Sequence, residues 1–158
     1  MTDLLRQTKH VLVVDDEPDF ASLLELILVS GGYRVTVACS CEEALDQARR
    51  QKPDVITMDI RMPGRSGALC YRKLKTDKAL RGIPVVVVTA LTRNDRDMEN
   101  LIRSLLEPAH VPPPDAYVEK PVEGPALLAV LEEVLSRPEV RPEPAAPARL
   151  DYGGAGTP

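Results

Sequence analysis

Four consecutive valines, Val85 to Val88, constrain this chain more than any other stretch. Each is apolar and β-branched, so an extended segment here has no polar face to turn toward water. A strand of this kind is buried on both faces, as in a parallel sheet covered by helices on each side. The turn Arg81-Gly82-Ile83-Pro84 precedes the run, and Thr89 stands at its end.

The rest of the chain supplies the other layers. His10 to Val14, Tyr33 to Ala38, Val55 to Met58 and Asp115 to Val118 read as further short strands. Phe20, Leu23, Leu24, Ile27 and Leu28 recur at helical spacing, after Pro18 at a favoured first position and before Gly31-Gly32. Ser40 with Glu43 fits a capping box opening a helix through Ala44, Leu45 and Ala48. Ser66 or Gly67 opens a third helix carrying Leu69, Cys70 and Leu74. Met98, Leu101, Ile102 and Leu105 mark a fourth, and Leu127, Leu128, Leu131 and Leu135 a last. Strands and helices alternating five times predict a doubly wound α/β domain with a five-stranded parallel sheet and right-handed crossovers.

The length of 158 residues fits one domain, expected over residues 9–136. From residue 137 to 158 the chain carries Pro138, Pro142, Pro144 and Pro147, then Gly153, Gly154 and Gly156. No apolar period survives there, so a disordered tail is expected. Apolar residues make up 44% and aromatics 3%, which makes the core aliphatic. A net charge of −4 argues against a nucleic-acid-binding surface over the whole domain, and nothing after Leu135 fits a helix-turn-helix. No apolar run approaches the roughly 20 residues of a membrane span. Met1 to Arg6 lacks the apolar region of a signal peptide, so a cytoplasmic location is expected. Cys39, Cys41 and Cys70 are a poor disulfide framework, and His10 and His110 offer no ligand spacing; reduced, structural thiols are expected.

In an open α/β sheet ligands bind beyond the carboxyl ends of the strands. The residues found there are Asp15 and Asp16, Asp59, Thr89, and Lys120. Asp59 ends the apolar run Val55-Ile56-Thr57-Met58, and Pro63-Gly64 punctuates the loop that follows. Three carboxylates in one small site repel each other and stay ionised around a cation. Oxygen-only ligands suit a hard ion such as Mg2+. Lys120 can balance charge and contact an anion, and Thr89 can donate a hydroxyl hydrogen bond. Such a set suits a phosphoryl group, which a carboxylate can accept covalently.

The segments that carry these residues resemble a known family. They are Asp15-Asp16 after the first strand, Asp59 within Met58-Asp59-Ile60-Arg61-Met62-Pro63-Gly64-Arg65-Ser66-Gly67, Thr89-Ala90 after the valines, and Tyr117-Val118-Glu119-Lys120-Pro121. In that order, each after its own strand, they resemble the response-regulator receiver domain of two-component signalling, from about Lys9 to Leu135. The resemblance implies a flavodoxin-like strand order 2-1-3-4-5 with five helices. It implies that Asp59 is the phospho-acceptor, taking its phosphoryl group from a histidine kinase or a histidine phosphotransfer protein. Asp15, Asp16 and Asp59 would bind Mg2+ with the backbone carbonyl of Arg61. Lys120 would contact the phosphoryl group, Thr89 would move toward it, and Tyr117 would turn inward. Those movements would couple the site to the face of the fourth helix, fifth strand and last helix. A cis Lys120-Pro121 peptide belongs to the same pattern.

On this reading the chain is a stand-alone signalling module rather than an enzyme, with at most slow self-dephosphorylation. Its output is phosphorylation-dependent binding of an unidentified downstream protein, without direct nucleic-acid contact or membrane insertion, as a monomer or a phosphorylation-dependent dimer. Two related readings are a phosphorelay intermediate and a pseudo-receiver that only docks. A third, an aspartyl-phosphate hydrolase, needs an acid two residues after a nucleophile on the first strand, and Asp15 with Glu17 fits that poorly. Two features depart from the family pattern. The stretch from Leu106 to Pro114 lengthens the approach to the last strand and is expected to reshape the docking surface. Arg61, with Leu91, occupies positions that tune self-dephosphorylation in the family.

Overall fold

The computed structural model of the chain describes residues 9–60, 66–90, 100 and 111–137. Its strands are β1 (His10–Val14), β2 (Arg34–Ala38), β3 (Val55–Met58), β4 (Val85–Thr89) and β5 (Ala116–Glu119). All pair in parallel, in the order β2-β1-β3-β4-β5 expected for this family. The helices among the described residues are α1 (Pro18–Ser30), α2 (Cys41–Arg50), α3 (Ser66–Thr76) and α4 (Gly124–Ser136). The helix expected around residues 98–105 lies outside the described residues except for Asn100, which is helical. The tail beyond Arg137 also lies outside them.

Alternation along the strands divides the core into two layers. Leu12, Val14, Ile56, Met58, Val85 and Val87 point to one face and pack with Ala44, Ala48, Cys70, Tyr71 and Leu74 of α2 and α3. Val11, Val13, Val55, Val86, Val88 and Val118 point to the other, against Ala21, Leu24 and Leu28 of α1 and Leu127 and Leu131 of α4. The four valines therefore lack a polar face because helices cover both sides of β4, and each is at most 1% exposed.

Local signals set the helix ends. Pro18 starts α1, and Gly32, at φ 97°, takes the left-handed position just after it that a β-carbon disfavours. The Ser40 hydroxyl accepts from the Glu43 N–H at 3.1 Å, and the Glu43 carboxylate accepts from the Cys39 N–H at 2.8 Å. The capping box thus forms with its return bond one residue further back than usual. Gly67, in the first turn of α3, lies so close to Ile60 that a β-carbon there would collide with the Ile60 carbonyl.

Two aspartates secure the amino edge of the sheet by one device. The Asp54 N–H donates to the His10 carbonyl, and the Asp54 carboxylate accepts from the His10 N–H, both at 2.8 Å. Asp115 repeats this with Val85, both bonds at 2.9 Å. Asp115 was expected to begin the last strand; its capping role leaves that strand to start at Ala116. Lys75 reinforces the same edge by donating from its buried amine to the Ile83 carbonyl at 2.8 Å.

The cysteines depart from expectation. The C-x-C spacing draws attention to Cys39 and Cys41, but Cys39 is exposed and unpaired while Cys41 meets Cys70 as a disulfide. Their Cα atoms lie 5.5 Å apart across 29 residues of sequence. The pairing follows from packing of the start of α2 against α3, which no local spacing encodes.

Candidate functional site

Parallel register aligns the strand ends. Val14 pairs with Met58, so the next residues, Asp15 and Asp59, emerge side by side. The Asp59 N–H donates to the Val14 carbonyl at 3.1 Å and fixes that juxtaposition. On the far side Thr89 pairs with Glu119, and the Lys120 N–H donates to the Thr89 carbonyl at 2.9 Å. Continuing the alternation by one or two residues puts Asp15, Asp59 and Lys120 on the α1–α4 face.

The side chains converge there. The Lys120 amine donates to Asp59 Oδ2 at 2.9 Å and lies 3.6 Å from Asp15 Oδ2. Asp15 and Asp59 are buried, whereas Asp16 is exposed. The three offer carboxylate oxygens within 4.8 Å of one another, an arrangement that can hold a metal ion. Asp15 Oδ1 accepts from the Glu17 N–H at 2.9 Å, but Asp15 Oδ2 is buried with no hydrogen-bond partner among the described residues. The Lys120 amine at 3.6 Å is beyond hydrogen-bond reach, so this buried carboxylate oxygen remains costly unless a further cation contacts it. The donor set and the orphaned oxygen both fit a hard divalent ion.

The electrostatics agree. Burial pushes the Asp15 carboxyl above its ordinary range; the Glu17 N–H and Lys120 pull it back, and Asp59 and Asp16 push it further up. For Lys120, burial works against the charge, but the hydrogen bond and charge of Asp59, with Asp15 and Glu17, outweigh it and hold the ammonium above its usual value. Among the described residues, one cation thus faces more negative charge than it can compensate.

Other expected residues are placed less centrally. Thr89 is buried at the end of β4, next to the strand of the lysine. Tyr117 is half-buried on the opposite, α2–α3 face, beside the cluster containing Tyr71. Arg61 and Leu91 lie outside the described residues, as does the insertion from Leu106 to residue 110. The end of that insertion is anchored: Val111 and Pro114 are buried, and the Tyr71 hydroxyl donates to the Pro112 carbonyl at 2.6 Å. The Lys120-Pro121 peptide is cis, as the family pattern implied. The sequence shows Phe20 only through the helical period of α1; its ring faces Lys120, with the amine 4.0 Å from the ring centre.

Residues 11–132 match the family described as the response regulator receiver domain. This chain belongs to that family. It is 34% identical over 128 residues to the polar-differentiation response regulator DivK of Brucella ovis, covering 81% of this chain and 97% of DivK. It is 37% identical over 130 residues to the transcriptional regulatory protein AfsQ1 of Streptomyces coelicolor, covering 82% of this chain but 52% of AfsQ1. The match thus spans about half the length of that larger relative. Among solved structures, a putative response regulator from Chloroflexus aurantiacus aligns with a TM-score of 0.69 at 28% identity, over 82% of this chain and 98% of that one. The receiver domain of a sensor histidine kinase from Pseudomonas aeruginosa, with a magnesium ion coordinated in its active-site cleft, aligns with the same score, identity and coverage. Among the described residues no helix is long and apolar enough to cross a membrane.

Proposed function

We propose that this receiver domain, spanning residues 9–136, accepts a phosphoryl group on Asp59 from a phosphohistidine and signals by phosphorylation-dependent binding of another protein. The observation that carries this reading is the Lys120 amine 2.9 Å from Asp59 Oδ2, beside the orphaned Asp15 oxygen. Asp59 is the carboxylate that an anion-binding amine already addresses. Asp15 and Asp16 flank it on the next strand and leave one face of the site to a cation.

Asp15, Asp16 and Asp59 would hold Mg2+, with the Arg61 carbonyl as a further oxygen ligand. The bound ion would neutralise charge on the phosphoryl oxygens and make a carboxylate an acceptable nucleophile. The chain's own residues do the rest. The Asp59 carboxylate presents an oxygen at the mouth of the site. Lys120 turns its donors from that carboxylate to the incoming phosphoryl oxygens. Thr89, at the end of the neighbouring strand, supplies a hydroxyl donor, and its displacement toward the phosphoryl group would be passed to the β4–β5 side through Tyr117. The switch works to the extent that the phosphoryl group interacts better with the displaced arrangement. Hydrolysis of the acyl phosphate is at most slow, and Arg61 and Leu91 tune it.

The test is intact-mass spectrometry after incubation with Mg2+ and acetyl phosphate, with Asp59→Asn alongside. One added phosphoryl mass, absent from the variant and absent when Mg2+ is chelated, is the expected result. Wild-type protein that stays unmodified and also shows no amide shifts with beryllofluoride would reduce the chain to a docking module.

A further inference from the structure

We infer that Phe20 is a positioning residue for Lys120, its ring face holding the amine over the Asp59 carboxylate and setting the direction from which it meets a phosphoryl group. The inference rests on the proposed role of Asp59 and Lys120 and adds a residue to it. The contact is a specific one. Lys120 Nζ lies 4.0 Å from the centre of the Phe20 ring, close to its oxygen contacts at 2.9 and 3.6 Å. Phe20 is the sole phenylalanine in the chain. It lies in the first turn of α1, after the Asp15-Asp16-Glu17 segment, Pro18 and Asp19, half-buried against the α1–α4 core. The strand alternation that delivers Lys120 to the α1–α4 face delivers it to this ring.

The chemistry gives the ring a task that neither an aliphatic nor an oxygen-bearing side chain can perform. A lysine amine ends a flexible four-carbon stem, and its donors point wherever acceptors are found. An oxygen ligand in the place of Phe20 would take one of those donors and draw the amine from Asp59. An aliphatic side chain would fill space without attraction. The face of an aromatic ring attracts the cation through its quadrupole yet accepts no conventional hydrogen bond. The ammonium is therefore held from behind while its N–H groups stay available to the carboxylate or to phosphoryl oxygens.

The experiment replaces Phe20 in the full chain with mono-, di- and trifluorophenylalanine, which keep the shape of the ring while draining charge from its face. Phe20→Leu and Phe20→Trp accompany the series. Two quantities are read: the initial rate of phosphorylation by acetyl phosphate at saturating Mg2+, and the ring-current shift of the Lys120 ε-methylene protons in metal-free protein. The expected result is a stepwise fall in rate to roughly one fifth across the series at unchanged melting temperature. Phe20→Leu should be slow and its ε-methylene resonances unshifted, whereas Phe20→Trp should restore both. A flat rate series, or ε-methylene resonances in wild type at the position seen in Phe20→Leu, would overturn the inference. Failure of wild-type protein to be modified at Asp59 would instead strike the underlying reading, and the metal-free shift would still decide whether the ring holds the amine.

Discussion

The two edges of the sheet use the same side chain to opposite ends. At the amino edge, Asp54 and Asp115 each precede a strand, and each carboxylate accepts from a strand N–H at 2.8 or 2.9 Å. At the carboxyl edge, Asp15 and Asp59 each follow a strand and face each other with one lysine between them. The polarity of a parallel sheet explains the contrast. Strand beginnings leave N–H groups without partners, and a carboxylate there is a cap; strand ends leave carbonyls, which offer a carboxylate nothing. Acids at the first edge are satisfied by the fold. Acids at the second draw instead on the Lys120 amine and, for Asp15, the Glu17 N–H, and Asp15 Oδ2 keeps no hydrogen bond among the described residues. An aspartate therefore reads as structural or chemical according to which end of a strand it occupies.

Substitutions at the two edges should separate these roles. Asp59→Asn should reduce acetyl-phosphate labelling to background while leaving the fold intact, as read by mass spectrometry and far-ultraviolet circular dichroism. Asp115→Ala should do the reverse: labelling persists, and urea unfolding shows a loss of about 1.5–3 kcal/mol as the Val85 N–H loses its charged acceptor. Loss of labelling in the second variant with its fold retained would break the comparison.

A smaller effect of opposite sign is expected at Asp15. In Mg2+-free buffer near neutral pH, Asp15→Asn should raise stability by on the order of 1 kcal/mol, because it removes a buried charge without full compensation. Mg2+ should stabilise wild type by mass action but leave this variant unchanged. Thermal melts with and without the ion measure both. A variant less stable than wild type without Mg2+ would show the carboxylate to be structural after all.

The edges should also differ in pH dependence. Burial raises Asp15, so its cost is present above its folded-state value and is relieved as pH falls toward the ordinary 3.8. His10, at the other edge, is lowered by burial and by Arg34 against the pull of Asp54, and its Nε2 lies 2.7 Å from Thr36 Oγ1. Its contribution is complete above the ordinary 6.5 and is lost as pH falls below it, where the unfolded chain takes up a proton that the folded chain resists. Acidification should thus loosen the amino edge while easing the carboxyl edge. His10→Asn should flatten the fall in melting temperature below pH 6.5. An unchanged slope would remove His10 from the account.

Much of this organisation was legible in the sequence, for physical reasons. The valines of β4 required cover on both faces, and the helical periods supplied it. Asp15, Asp59, Thr89 and Lys120 could be collected because each ends a strand, and parallel strands place their ends together. What stayed hidden depends on helix rotation and on register between distant segments. Cys41 meets Cys70 and Tyr71 meets Pro112 because α3 turns those side chains toward its neighbours. Asp54, after Lys52-Pro53, reads as a turn residue and Asp115 as the first residue of the last strand; their capping bonds emerge only when register places His10 and Val85 opposite them. Phe20 shows in the sequence only as part of a helical period, whereas its side chain packs against the α1–α4 layer and its ring faces the amine.

The most direct test of the central claim is to locate the phosphoryl group. Protein treated with Mg2+ and acetyl phosphate is reduced with borohydride, which converts an aspartyl phosphate to homoserine, and its peptides are sequenced by tandem mass spectrometry. Homoserine is expected at position 59 alone, with Asp15, Asp16, Asp54 and Asp115 unmodified. Homoserine at position 15 or 16, or a phosphoryl adduct whose reduction leaves Asp59 unchanged, would contradict it.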